Sequence, residues 1–313
     1  MRPMYAMRPM YARPRRRRRR VLRRLSLVAL VLVVGSSGAV VTDAFGAGEA
    51  WQKVLDRVDR FVAGPVPDRP SIVTVVVTPP PTASPTVPAT PDPGAGATPP
   101  PRPTPARVPV DYRIDHDPEA VFAHDIRDTW CSPAGVQMTL AVLGLADTSD
   151  AFQRKLASRV HEWESYADSH NGGWGPAAMA EALAAYGAPG YVIRAYTTRE
   201  QALHDAATAI QQTEAPAILL AWRGAHTWVM TGFRADADPA IYPDAVVSGA
   251  YILDPWYPND SRIWGPSDPA GTFQDAAEMV RNFLPWKRPE GKYPDRDGRF
   301  IVLIPTQGPG IGS

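Results

Sequence analysis

Thr129-Trp130-Cys131-Ser132-Pro133-Ala134-Gly135 is where an irregular stretch gives way to the apolar run Val136 to Leu145, and it holds the chain's one cysteine. The pattern predicts a helix that begins at the thiol and ends near Gly144. A thiol in the first turn of a buried helix meets unpaired N–H groups and the positive end of the helix dipole, and both favour thiolate over thiol. That makes Cys131 a candidate nucleophile, although an unpaired cysteine also serves as a small buried hydrophobe. The rest of the chain tips the balance, because a histidine and an aspartate follow in settings that suit a catalytic triad.

His226 begins the alternating segment His226-Thr227-Trp228-Val229-Met230-Thr231-Gly232-Phe233, read as a strand. Its side chain then shares a face with Trp228 and Met230. An imidazole beside a cysteine acts as its general base or as the imidazolium of an ion pair. Asp254 closes Ala250-Tyr251-Ile252-Leu253-Asp254-Pro255-Trp256. An acid at the mouth of an apolar strand must be solvated or paired. Pairing of the two strands would bring this carboxylate to the imidazole and fix its tautomer, while capping an Asx-turn is the alternative use. The other histidines, at 116, 124, 161, 170 and 204, have no comparable setting and no metal-ligand spacing, so the reading calls for no metal and no cofactor.

Around these motifs, helical patterns run over Ser149 to His161, Pro176 to Tyr186 and Thr198 to Gln212. Strands are expected at Tyr191 to Tyr196, Ala217 to Ala221 and Phe300 to Ile304, besides those carrying His226 and Asp254. Helices first and strands later imply an α+β domain, a helical layer packed on a mostly antiparallel sheet, over residues 111–306.

In the order Cys, His, Asp, the segments Trp130-Cys131-Ser132-Pro133-Ala134, His226 to Phe233 and Ile252-Leu253-Asp254-Pro255-Trp256 resemble the papain-like cysteine peptidases of the bacteriocin-processing, double-glycine leader type. The similarity is greatest to their free-standing, secreted peptidase-like branch. It implies a papain-like fold in which Cys131 is the nucleophile, His226 the base and Asp254 the orienting acid. In one respect the chain departs from that family, whose members commonly carry Gln a few residues before the Cys and Gly after it. Here His124-Asp125-Ile126-Arg127-Asp128 precedes and Ser132 follows. An aspartate donates no hydrogen bond unless protonated, so the oxyanion hole retains the Cys131 backbone N–H and lacks an assigned second donor. Trp130, Trp174 and Trp256 are candidate cleft walls, together with Asn171 to Gly175 and Asp254 to Asp260. The expected activity is hydrolysis of a peptide or isopeptide bond in a peptide or cell-wall peptide. The alternatives are an inactive papain-like module that binds such a ligand and a transglutaminase-like acyl transferase.

Outside that domain, composition changes sharply along the 313 residues. The formal net charge of +1 conceals a basic segment, 1–24, with Arg15 to Arg20, Arg23 and Arg24, against the apolar stretch 25–42. A basic flank before an apolar segment reads as a signal anchor or signal peptide with its positive end in the cytoplasm, and this sets aside nucleic-acid binding. Either fate places the remainder outside the membrane. Residues 43–77 comprise an amphipathic helix, Glu49 to Val62, and a lone strand, Ser71 to Val77. Residues 78–110 form a Pro/Thr-rich spacer and 307–313 a tail. A single cysteine allows no intrachain disulfide, and nothing in the sequence speaks to oligomeric state.

Overall fold

Runs of β-branched and apolar residues build the sheet of this protein, and alanine-rich runs build the helices that cover it. The computed structural model describes residues 54, 58, 72–75, 106–164, 174–287, 291 and 293–308. The apolar stretch 25–42, most of the amphipathic helix and the spacer 78–105 lie outside the described residues. The chain divides into two units, Met1–Val58 and Asp59–Ser313, and the second carries the fold.

In chain order its elements are β1 (Ile72–Val75), β2 (Val110–Arg113), α1 (Pro118–Val121), α2 (Cys131–Val142), α3 (Asp150–Ser158), α4 (Pro176–Ala185), β3 (Tyr191–Tyr196) and α5 (Arg199–Thr213). There follow β4 (Ala217–Leu220), β5 (His226–Ala235), β6 (Val247–Leu253), β7 (Asp260–Ser261), β8 (Gly265–Pro266), β9 (Thr272–Asp275), α6 (Ala276–Asn282) and β10 (Phe300–Pro305). Helices α3, α5 and α6 start where the sequence supplies caps. Ser149 accepts from the Phe152 N–H, Thr198 from that of Gln201, and Asp275 from those of Ala277 and Glu278.

Among the described residues the main sheet has eight strands in the order β1-β3-β10-β4-β5-β6-β9, with β2 added beside β4 along the same edge of β5. All pairs are antiparallel except β1 with β3. The strand expected to stand alone is thus joined to the sheet, where Ile72 to Val75 runs alongside Ile193 to Tyr196. An apolar edge strand such as β3 presents unpaired N–H and C=O groups, and a second β-branched strand satisfies them.

Helices cover both faces of this sheet, where one helical layer was expected. Every residue of β4 and β10 is buried, the unalternating pattern of strands enclosed on two sides. On one face Ala202, Leu203, Ala206 and Ile210 of α5 pack with Leu219, Met230 and Val302. On the other, Leu140, Leu156 and Leu183 from α2, α3 and α4 pack with Ile193, Ile218 and Leu303.

Helix α2 is central, with every residue from Ser132 to Leu140 buried. It lies so close on β5 that a Cβ placed at Gly135 would stand 2.4 Å from Thr227 Cγ2. Glycine costs a helix interior about 1 kcal/mol relative to alanine, and here that loss permits the contact. Gly135 lies one turn after Cys131 and Thr227 directly follows His226, so this contact sets the spacing of thiol and imidazole. Gly135→Ala should lower unfolding free energy by about 1–3 kcal/mol through overpacking. Adding Thr227→Ser, which removes the methyl and keeps the hydroxyl, should recover most of that loss in urea titrations. Strictly additive losses would contradict the contact.

Candidate active site

Cys131 opens α2 and is partly exposed. The helix start has neither a side-chain cap nor an acidic residue in its first turn, so its N–H groups and dipole act on the sulfur without competition. Sγ lies 3.9 Å from the Ala225 carbonyl, at the foot of β5. Beyond that carbonyl is His226, 3% exposed, whose Nε2 is 2.6 Å from Asp254 Oδ1. Pairing of β5 with β6, with Val229 opposite Leu253, is what delivers the carboxylate. Asp254 Oδ1 also accepts from the Trp256 N–H at 2.9 Å, an Asx-turn, so the capping role and the pairing role are met by one oxygen.

With Nε2 taken by Asp254, Nδ1 is the nitrogen left to meet Cys131. Burial opposes a charge on this ring, but Asp254, by attraction and hydrogen bond, and the Cys131 sulfur, hydrogen-bonded to the ring, outweigh it and raise the imidazole to about 10. A buried imidazole raised by a neighbouring carboxylate is one requirement of an imidazolium–thiolate pair.

The ring is also clamped from the side. Trp222 stacks on His226 with centroids 3.9 Å apart and planes 18° from parallel. Its Nε1 donates to Asn282 Oδ1 at 3.2 Å, and Trp264 stacks behind it at 6.0 Å. To reach this position the β4–β5 connection places Trp222 and Arg223 in the left-handed region, at φ 52° and 61°. Such residues cost of order 1–3 kcal/mol each and persist only where surrounding packing over-determines them.

Trp130 is partly exposed beneath the Arg127 guanidinium, 4.9 Å from its ring. Trp256 is also partly exposed and meets Trp222 edge-on at 6.2 Å. Trp174, expected as a third wall, has its ring buried against Trp163 at 5.5 Å and reaches the site region through its carbonyl, which accepts from Ser132 Oγ at 3.3 Å. Residues 171–173 lie outside the described residues. Among the described residues no group of three or more His, Cys, Asp or Glu is arranged to hold a metal ion.

Sequence reasoning missed Trp222, and the one local sign was Gly224 just before His226. It also passed over the burial of Asp125, 8% exposed, whose Oδ2 is enclosed without a hydrogen-bond partner. The Asp125 N–H donates to the Pro255 carbonyl at 2.9 Å, next to Asp254. On either side of it, Gln153 accepts from the Ile126 N–H at 3.0 Å and donates to the His124 carbonyl at 2.9 Å. Gln153 is held in turn by fully buried Gln137, at 3.0 Å.

A model of the Peptidase_C39 like family matches residues 107–281, more than half of the chain, and spans Cys131, His226 and Asp254. The chain belongs to the Peptidase_C39 like family. The resemblance to papain-like, bacteriocin-processing peptidases drawn from three short motifs therefore holds over residues 107–281. The family match ends within α6, and β10, which closes the sheet between β3 and β4, lies beyond it. No curated protein matches the chain.

Burial, with the charges of Asp128 and Asp254 against that of His226, holds the Asp125 carboxyl up at about 7, against an ordinary 3.8. A group with a raised folded-state value favours the fold most at low pH, and its contribution is lost as pH rises from about 4 through 7. Asp125→Asn should therefore gain stability relative to the parent across that window, read as thermal midpoints between pH 4 and 8. A constant difference at all pH values would contradict the buried, neutral acid.

Proposed function

We propose that this protein is a cysteine peptidase that cleaves a peptide or isopeptide bond outside the cytoplasm through Cys131, His226 and Asp254. The observation that carries the reading is the buried 2.6 Å contact between His226 and Asp254 at the same helix start that holds the partly exposed thiol. Membership of the Peptidase_C39 like family supports it.

In this reading the Cys131 sulfur attacks the scissile carbonyl carbon, forming a C–S bond while the carbonyl electrons move onto oxygen. Collapse expels the amine, which takes its proton from the His226 imidazolium. The neutral imidazole then draws a proton from water, whose oxygen attacks the thioester and frees Cys131. Asp254 holds the ring in its orientation and offsets its positive charge throughout, remaining ionised. Trp222 keeps the ring from rotating, and the partly exposed Trp130 and Trp256 flank the approach of an extended peptide.

An extracytoplasmic site rests on Arg15 to Arg24 preceding the apolar stretch 25–42, since basic residues flank the cytoplasmic end of such segments. No helix among the described residues is long and apolar enough to cross a membrane, and 25–42 is not among them.

Iodoacetamide should alkylate Cys131 at about pH 6, where an ordinary thiol with a pKa near 8.5 is only roughly 0.3% ionised. His226→Ala should slow that reaction at least tenfold, because the thiolate loses its counter-ion. A thiol inert in the folded protein, or a rate indifferent to His226, would remove the catalytic reading. Products formed with and without an added amine then separate hydrolysis from acyl transfer. Protease added to intact cells should remove the domain, and protection until lysis would reverse the proposed topology.

A further inference from the structure

Beside the triad lies a basic surface that the proposed chemistry does not use. An open cavity of about 480 Å³ is lined by Arg223, Ile263, Trp264 and Lys287. Arg223 and Lys287 also line a neighbouring cavity of about 390 Å³, whose apolar wall is Leu284, Pro285 and Trp286. Both cations are exposed, and Ile263 is 72% exposed. The frame that presents them is anchored. The Lys287 N–H donates to the Arg223 carbonyl at 3.2 Å, and the Trp286 ring packs so closely on Gly224 that a Cβ there would stand 2.1 Å from it. On the other wall, Ser261 Oγ accepts from the N–H groups of Ile263 and Trp264 and holds the turn between β7 and β8.

Two observations single out Arg223. Arg107, Arg159, Arg194, Arg234 and Arg281 each pair with an acid, whereas among the described residues no acid or other acceptor engages the Arg223 guanidinium. Its φ of 61° is the second, because left-handed backbone suits glycine or asparagine, and aiming Trp222 at His226 does not require an arginine in the next position. Strain of this kind is kept where the side chain is used. A free guanidinium matches a planar carboxylate with two parallel N–H donors. No acid among the described residues lines the first cavity to compete for it, and Asp297, which lines the second, accepts from the Gly291 N–H at 2.7 Å.

Arg223 is also placed for the reaction. Trp222 before it stacks on His226, and Ala225, two residues after it, sets its carbonyl 3.9 Å from Cys131 Sγ. Two Cα steps span at most about 7.6 Å, so a group held by Arg223 belongs to a residue close to the scissile bond. Resting on the peptidase reading above, we infer that Arg223 is a specificity-determining residue that holds a carboxylate of the substrate, with Lys287 as a second cation and Ile263 and Trp264 against the aliphatic stem that carries it.

Two series of thiol-directed probes cover both sides of the scissile bond. Peptidyl chloromethyl ketones carry their residues on the acyl side of the reacting carbon, and iodoacetyl peptides carry theirs on the amine side. Each alkylates the Cys131 sulfur with loss of halide. In at least one series, with the full chain, a probe bearing Glu should react about tenfold faster or more than its Gln counterpart, the gain expected of one charge-assisted pair. Arg223→Asn suits the left-handed backbone and is too short to reach the ligand, and it should bring that ratio close to unity. Arg223→Glu should favour a Lys probe instead. Iodoacetyl-Gly-Gly as the acid and as the amide identifies the source of the carboxylate: an equal advantage for the acid names a free chain end, and none names an acidic side chain. A wild-type ratio near unity in both series would overturn the inference. So would a ratio that survives in Arg223→Asn, including one in which both rates fall together, as loosening of Trp222 would cause. Those results, with Cys131 still reactive toward iodoacetamide, leave the peptidase reading standing, whereas a wild type inert to iodoacetamide and to every probe defeats that reading and this inference with it.

Discussion

The contact of α2 with β5 at Gly135 and Thr227 is the constraint on which the site depends. A helix normally stands off a sheet by the length of its side chains, and here one glycine removes that separation at the turn after Cys131. Ser132 reinforces the approach, its hydroxyl 3.5 Å from that of Thr227. Thiol and imidazole come from elements nearly a hundred residues apart, yet each sits within one turn or one residue of the same close-packed point. Rigid interiors transmit such spacing with little loss. The site's geometry is therefore a property of the core, with no flexible loop between the two groups.

Burying a histidine and an aspartate together needs compensation, because removing two charges from water costs several kcal/mol per ion unless each is paired and hydrogen-bonded. The pair has that compensation from several directions. Asp254 is anchored by the Trp256 N–H, the ring is pinned by Trp222, and the far nitrogen faces Cys131. Cys131 is one of the two partners that raise the ring, so a change at residue 131 acts on His226 as well. The left-handed backbone at Trp222 and Arg223 is a local cost of this arrangement, borne by the packing of Trp222 between His226 and Trp264. The buried pair of Gln137 and Gln153 plays a parallel part on the other side, fixing the segment that carries Asp125.

Much of this was legible in the sequence because it was local. Helical periodicity marked the segments that form α3, α4 and α5, and an unbroken apolar run marked β10. Cys131, His226 and Asp254 were each flagged by their neighbours in the chain, a helix start, the head of an alternating strand and the end of one. What escaped depended on partners distant in sequence. The parallel pairing of β1 with β3 has no signature within either strand. Helix coverage on the second face was signalled only by strands that fail to alternate, a pattern equally expected of a single buried segment. Trp222 acquires its role from a backbone conformation that surrounding packing imposes, and Asp125 from burial supplied by Gln153 and Pro255. His124 to Asp128 showed a missing amide donor but not the enclosure that would keep an acid protonated.

The central claim is that His226 is an imidazolium held between Asp254 and the Cys131 thiolate. Nitrogen-15 NMR of the histidine rings tests it directly, since a doubly protonated ring and a neutral one give distinct shifts. At about pH 8 an ordinary imidazole with a pKa near 6.5 is neutral. The account predicts that His226 is still charged there in the wild type, as its elevation to about 10 requires, and that Cys131→Ser shifts its titration to lower pH. A neutral His226 ring at pH 8 in the intact protein, or a titration unchanged by Cys131→Ser, would contradict it.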